Sequence, residues 1–269
     1  PPVVNWDEGT HGLWGYWVWL ALREFNFSHF LALLRTQFAY PPIGSLTIAL
    51  TNLPFAFSLQ LSRFASTIGF MVSGVLIFLI SKQLDNNFTR ILNFSSQQIT
   101  RDIKSKYLIL ILFLTSPAIL FYSVTVFKES WGLALTLLVI FLYFRALKIK
   151  TLTSFFWVSL SLILLFLQKY NYAILLAVTL AMEAGVELSL LCKDKVGSYA
   201  RRQMAIFLPV MLFASWWILT PDNKLNWFME IMRSDWNPVT VGVGSKMEYL
   251  LFYVNSIRTS YVFSEILFW

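Results

Sequence analysis

Long runs of apolar residues, separated by short charged segments, constrain this chain more than any other feature. Only 13% of its 269 residues are charged and 57% are hydrophobic, whereas a typical soluble domain is about 25% charged. A soluble protein of this size could not bury so many large apolar side chains. The single cysteine excludes a disulfide scaffold. The sequence therefore predicts an all-α protein, a polytopic transmembrane helix bundle.

Six segments are apolar and long enough, or nearly so, to cross a bilayer, which takes about 20 residues. They are 62–81, 107–126, 131–147, 153–168, 172–191 and 204–220. We therefore expect three regions along the chain. These are a first external loop with interfacial helices (1–60), a six-helix transmembrane region (61–220), and an external loop with the start of a further apolar helix (221–269).

The segment 43–59 is also apolar, but it follows two prolines and contains Pro54. If it crossed the membrane, the next span would begin within a few residues. We therefore expect an interfacial or re-entrant helix in this segment.

The basic residues indicate which side of the membrane each loop occupies. Of the 21 basic residues, 12 form three clusters that six spans place on one side, which the positive-inside rule makes cytoplasmic. The clusters are Lys82, Arg90, Arg101, Lys104 and Lys106; Arg145, Lys148 and Lys150; and Lys193, Lys195, Arg201 and Arg202. The net charge of +7 is thus explained by topology and does not indicate a nucleic-acid partner.

A few charged residues fall on the opposite, external face, and each has two interpretations. Asp7 and Glu8 could supply a general base or a metal ligand, or they could form an acidic first helical turn. Glu129 could be a second carboxylate of the same site or an acidic residue that stabilises the start of a span. Lys169 could bind a lipid phosphate or could extend its ammonium group to the membrane interface.

Glu183 and Glu187 lie four residues apart inside a predicted span, on one helix face. Acidic residues in a span are functional candidates by default, so they keep a transporter or flippase-like protein as the alternative function. We favour the simpler explanation, in which the helix leaves the membrane nearby and the two acids pair with Lys193 or Lys195. The sequence contains no internal repeat of the kind found in transporters.

Three motifs occur in a defined order in the first part of the chain. They are Asp7-Glu8, Tyr40-Pro41-Pro42-Ile43-Gly44, and Leu61-Ser62-Arg63-Phe64-Ala65-Ser66. In this order they resemble the polytopic glycosyltransferases of the GT-C superfamily, in particular the branch of protein O-mannosyltransferases and aminoarabinose (lipid A) transferases. The resemblance covers residues 5–80 well and 107–190 more loosely. Three features depart from it: the span before the acidic pair is missing, the second-loop acid is Glu and not the commoner Asp, and the C-terminal spans or external domain are absent or cut. We expect the chain to be a fragment.

The resemblance implies a membrane glycosyltransferase that moves a sugar, usually with inversion, from a polyprenyl-phosphate donor to an acceptor hydroxyl on the external face. It implies that Asp7 is the general base with Glu8 beside it, and that Glu129 is the acidic residue of the second external loop. Lys169, and with it Arg63, would bind the donor phosphate.

The acceptor would be a protein, lipid or glycan. The protein would lie in a prokaryotic plasma membrane, and a divalent metal is a possible cofactor. Taken together, these roles predict that Asp7, Glu129 and Lys169 line one external cavity.

Overall fold

The computed structural model describes residues 6–37, 41–92, 129–190 and 196–219, together with most positions between 110 and 126. These residues form helices and no strands, so the predicted all-α fold is confirmed. Eight helices are described: α1 (Trp6–Arg23), α2 (Phe27–Thr36), α3 (Pro42–Asn52), α4 (Leu59–Leu92), α5 (Glu129–Ile149), α6 (Leu152–Gln168), α7 (Tyr170–Leu190) and α8 (Val196–Leu219).

Four of these helices, α4, α5, α7 and α8, are long and apolar enough to cross a membrane. They coincide with the expected spans 62–81, 131–147, 172–191 and 204–220. The span expected at 153–168 corresponds to α6, an apolar helix of 17 residues whose length of about 26 Å is slightly less than the hydrocarbon core of a bilayer. The span expected at 107–126 is described only in part, and its described positions 110, 111, 113–115, 119, 121 and 123 are helical.

Helices α5 to α8 alternate in direction, so α5 runs parallel to α7 and α6 runs parallel to α8. Two short connections impose this order, since Lys150 and Thr151 join α5 to α6 and Lys169 alone joins α6 to α7. Helix α6 is central, because Val158, Leu162 and Leu165 are fully buried between α5 and α8. We call the two ends of this bundle the Lys169 end and the Lys150 end.

The first three helices form a layer that packs against the start of α4 and, through Ile43 of α3, against the core of the bundle. Gly15 allows α1 to approach α3 closely, because a Cβ atom at this position would lie 2.3 Å from the Ile48 side chain. The buried Asn52 joins α3 to α4: it donates to Ser62 Oγ at 3.2 Å and accepts from Ser58 N at 2.8 Å. With 11 residues, α3 is about 16 Å long and too short to cross a membrane.

Candidate functional site

Glu129 and Lys169 form an ion pair at the Lys169 end of the bundle. Glu129 is the first residue of α5, and Lys169 lies in extended backbone between α6 and α7. The Lys169 Nζ atom is 2.5 Å from Glu129 Oε1 and 4.8 Å from the centre of the Tyr172 ring. The side chains are 28% and 26% exposed, so the pair is only partly accessible from outside.

A cavity of about 440 Å³ begins at Glu129 and extends between α4, α5 and α7. We call it the slot. Apart from Glu129 and four hydroxyl-bearing side chains of the parallel helices α5 and α7, its lining is apolar. The lining residues are Phe70, Ile119, Glu129, Ser130, Leu133, Thr136, Tyr172, Leu175, Leu176 and Thr179.

The second carboxylate oxygen of Glu129, Oε2, is buried and has no hydrogen-bond partner among the residues that the structure describes. A buried carboxylate oxygen without a donor costs free energy. The mouth of the slot therefore combines a bound ammonium group with an acceptor that a donor group of a ligand could satisfy.

The slot lies between two helices that keep a constant register. Glu129 pairs with Lys169, and Tyr143 of α5 donates a hydrogen bond to Glu183 of α7, with the same sequence separation of 40 in both pairs. At Gly132 the two helices come close, because a Cβ atom there would lie 3.0 Å from Tyr172 Cε2. The slot is open at its side, since Leu175 is 70% exposed.

The other predicted site residues, Asp7, Glu8 and Arg63, lie on α1 and α4. Asp7 and Glu8 lie in the first turn of α1, and their side chains fall outside the described part of the structure. Arg63 is half-buried near the start of α4, and Trp131 ties this end of α4 to α5 by donating to Ala65 O at 2.8 Å. Convergence of Asp7 with Glu129 and Lys169 therefore stays a prediction.

The two acids inside the predicted span both have partners. The Tyr143 hydroxyl donates to Glu183, and Arg202 of α8 forms an ion pair with Glu187. Arg202 also lies over the ring of Tyr199, 4.9 Å from its centre.

The expected partners of these acids, Lys193 and Lys195, lie outside the described residues. Sequence reasoning missed Arg202 as a partner because it counted this residue only as a marker of the cytoplasmic side. The helical hairpin of α7 and α8, which brings residues fifteen apart together, was the signal that could have identified it.

No group of three or more His, Cys, Asp or Glu side chains that could hold a metal ion occurs in the described segments. His11 is buried within α1. Because Asp7 and Glu8 are not described at the side-chain level, a divalent metal at that position remains an untested expectation.

A helical bundle with four helices of membrane-crossing length and composition defines an integral membrane protein. Comparisons with protein-family models, with curated proteins and with solved structures give no match. The function is therefore inferred from the residues of the slot and from the ordered motifs of the sequence.

Proposed function

We propose that this protein is a membrane glycosyltransferase that transfers a sugar from a polyprenyl-phosphate donor to an acceptor hydroxyl of a protein, lipid or glycan. The observation that carries this proposal is the Glu129–Lys169 ion pair at the mouth of an apolar slot. A lipid phosphate needs both a cation and an apolar site beside it. The GT-C resemblance of the N-terminal motifs supports the same class.

Lys169 is the proposed ligand of the donor phosphate. A lysine ammonium is a compact charge with three donors, which suits a phosphate oxygen. Glu129 and Tyr172 hold this ammonium at the mouth of the slot. As the bond from the anomeric carbon to the phosphate oxygen breaks, negative charge grows on that oxygen, and a positioned cation stabilises it. Arg63, near the start of α4, is the proposed second cation.

The slot is the proposed site of the lipid chain. Its volume of about 440 Å³ is roughly three times that of a cavity that holds a benzene molecule. The exposed Leu175 marks the open side, through which a chain could enter from the bilayer. This arrangement puts the phosphate at the membrane surface, where an acceptor from the aqueous phase can reach the sugar.

Asp7 is the proposed general base, with Glu8 beside it and Glu129 as a third carboxylate of the site. In the transfer step the acceptor oxygen forms a bond to the anomeric carbon, and its proton passes to Asp7. The phosphate leaves with the electron pair of the broken carbon–oxygen bond. Attack from the face opposite the leaving group inverts the anomeric carbon, as in base-assisted inverting chemistry.

The proposed location is a prokaryotic plasma membrane with the active site on its external face. The exposed Lys148, Lys150 and Arg201 support this orientation, because all three lie at the opposite end from Lys169. The transporter alternative depended on Glu183 and Glu187. Both have partners within the bundle, which supports a structural role for these acids over a transport pathway.

Sugar transfer by the full-length protein in proteoliposomes tests the proposal, with labelled polyprenyl-phosphate sugars as donors. Asp7→Asn should lower the transfer rate about a hundredfold or more, the usual contribution of a general base. Lys169→Ala should raise the KM for the donor, whereas Lys150→Ala at the opposite end should leave it unchanged. Full transfer by Asp7→Asn would remove Asp7 as the base, and an unchanged donor KM in Lys169→Ala would remove Lys169 as the phosphate ligand.

A further inference from the structure

A second polar contact joins the two helices that form the slot. The Tyr143 hydroxyl donates to the Glu183 carboxylate one turn beyond Thr179, the last slot residue of α7. Glu183 lies fourteen residues after Lys169, which is about 21 Å along an α-helix. With Lys169 at the membrane surface, as in the proposed function, this distance puts the carboxylate inside the hydrocarbon region, which is about 30 Å thick.

A carboxylate at this depth needs an explanation, because ionisable side chains within the bilayer are costly. The contact does not belong to the proposed phosphate site at the other end of the slot. The Tyr143 side chain is buried among apolar neighbours and directs its hydroxyl toward α7. The lining of the slot ends at Thr136 on α5 and Thr179 on α7. The Tyr143–Glu183 hydrogen bond is the next polar contact between these two helices.

We propose that the Tyr143–Glu183 pair is the polar floor of the slot and limits the length of apolar chain that the slot accepts. This inference rests on the proposed function, because it takes the slot as the site of the donor's lipid chain. A chain that reaches the floor must turn out into the bilayer or disturb the hydrogen bond. Neither a methylene nor an isoprene unit can replace that hydrogen bond.

The expected change in affinity for long chains follows from the free energy that one hydrogen bond contributes. A net contribution of a typical intramolecular hydrogen bond corresponds to about a fivefold change in affinity. Chains shorter than the slot do not touch the floor and should be insensitive to it. The signature of a floor is thus an effect that appears only above a certain chain length.

The experiment measures binding of n-alkyl phosphates, from butyl to eicosyl phosphate, to the full-length protein in lipid nanodiscs. Each affinity of the double variant Tyr143→Phe/Glu183→Leu is divided by that of the wild type at the same chain length. This ratio cancels the partitioning of the probe into the bilayer. Because the probes carry no sugar, the measurement does not depend on catalysis.

We expect a ratio near one for short chains and a rise of about fivefold for chains longer than hexadecyl, whose extended length is close to the roughly 21 Å between Lys169 and Glu183 along α7. Tyr143→Phe, which removes only the hydroxyl group, should give the same trend if the double variant does not fold. Glu187→Gln is the matched control, because it changes a carboxylate one turn further along α7 that faces Arg202. Its ratio should not depend on chain length.

An affinity ratio that is the same at every chain length, whether near one or lowered, would overturn the floor. The loss of a hydrogen bond that only holds α5 and α7 together would affect the binding of all chains alike. The proposed function would still stand in that case, provided that wild-type binding is weakened by Lys169→Ala. If Lys169→Ala binds alkyl phosphates of every chain length as tightly as the wild type does, the proposed function is overturned, and the floor with it.

Discussion

The Glu129–Lys169 ion pair should be asymmetric, so that removing the lysine costs more stability than removing the carboxylate charge. In Lys169→Met the Glu129 carboxylate keeps a buried Oε2 without a described hydrogen-bond partner and loses its bound cation as well. In Glu129→Gln the long lysine side chain, which lies against the Tyr172 ring, can turn its ammonium toward water. Only the first variant therefore leaves an uncompensated charge.

The exposure of the Glu129–Lys169 pair determines how much stability each variant should lose. Exposed ion pairs contribute about 0–1 kcal/mol, and removing one partner of a buried pair costs about 3–5 kcal/mol. With 28% of the Lys169 side chain and 26% of the Glu129 side chain exposed, the pair lies between these limits. We expect Lys169→Met to lower the free energy of unfolding by about 2–3 kcal/mol and Glu129→Gln by about 1 kcal/mol. The double variant should lose about 1–2 kcal/mol less than the sum.

Reversible unfolding of the purified protein in mixed micelles, near neutral pH, measures all three free energies. Lys150→Met is the control, because it removes an exposed lysine at the opposite end and should change stability by less than about 0.5 kcal/mol. Additive single effects would show that the two side chains do not interact. Equal losses in the two single variants would contradict the asymmetry and the burial argument behind it.

Three further predictions concern the helix contacts that hold the slot in place. Gly69→Ala should cost about 1–2 kcal/mol of stability, because its Cβ would lie 3.1 Å from backbone atoms of α5. Gly185→Ala, with nothing within 4 Å, should add about 0.5–1 kcal/mol; one unfolding series compares the two. Asn52→Leu should cost about 1–3 kcal/mol and speed proteolysis between α3 and α4, because the Ser58 N–H and the buried Ser62 hydroxyl each lose a hydrogen bond to Asn52. Arg202→Met should destabilise the protein more than Glu187→Gln in the same unfolding assay, because it strands a carboxylate in the bundle.

The fold could be predicted from the sequence because hydropathy is a local property. The span expected at 131–147 corresponds to α5, and the difference of two residues at each end has a simple cause. The helix begins at Glu129, whose charge favours the helix N-terminus, and it continues past Lys148, whose charge favours the C-terminus. A search for apolar residues omits both positions.

Partner choice in the site was harder to predict, because it depends on geometry between helices. Sequence reasoning paired Glu187 with a lysine of the nearby loop, whereas the described structure pairs it with Arg202 on α8. It considered Glu129 and Lys169 for one cavity but not as a direct ion pair. It did not find Tyr143, because a tyrosine in an apolar run carries no distinguishing pattern.

The slot itself is a consequence of register, and polar residues fix that register. Two helices separated by one reversing helix must run parallel, but apolar packing within a membrane gives little preference for one register over another. The contacts at Glu129–Lys169 and Tyr143–Glu183 share one sequence offset, so both can form together only in a single alignment of α5 and α7. A shift by one turn would break both contacts and leave the Glu183 carboxylate without its Tyr143 partner inside the bilayer. The polar contacts at Glu129–Lys169 and Tyr143–Glu183 therefore also fix the alignment of the helices that form the slot.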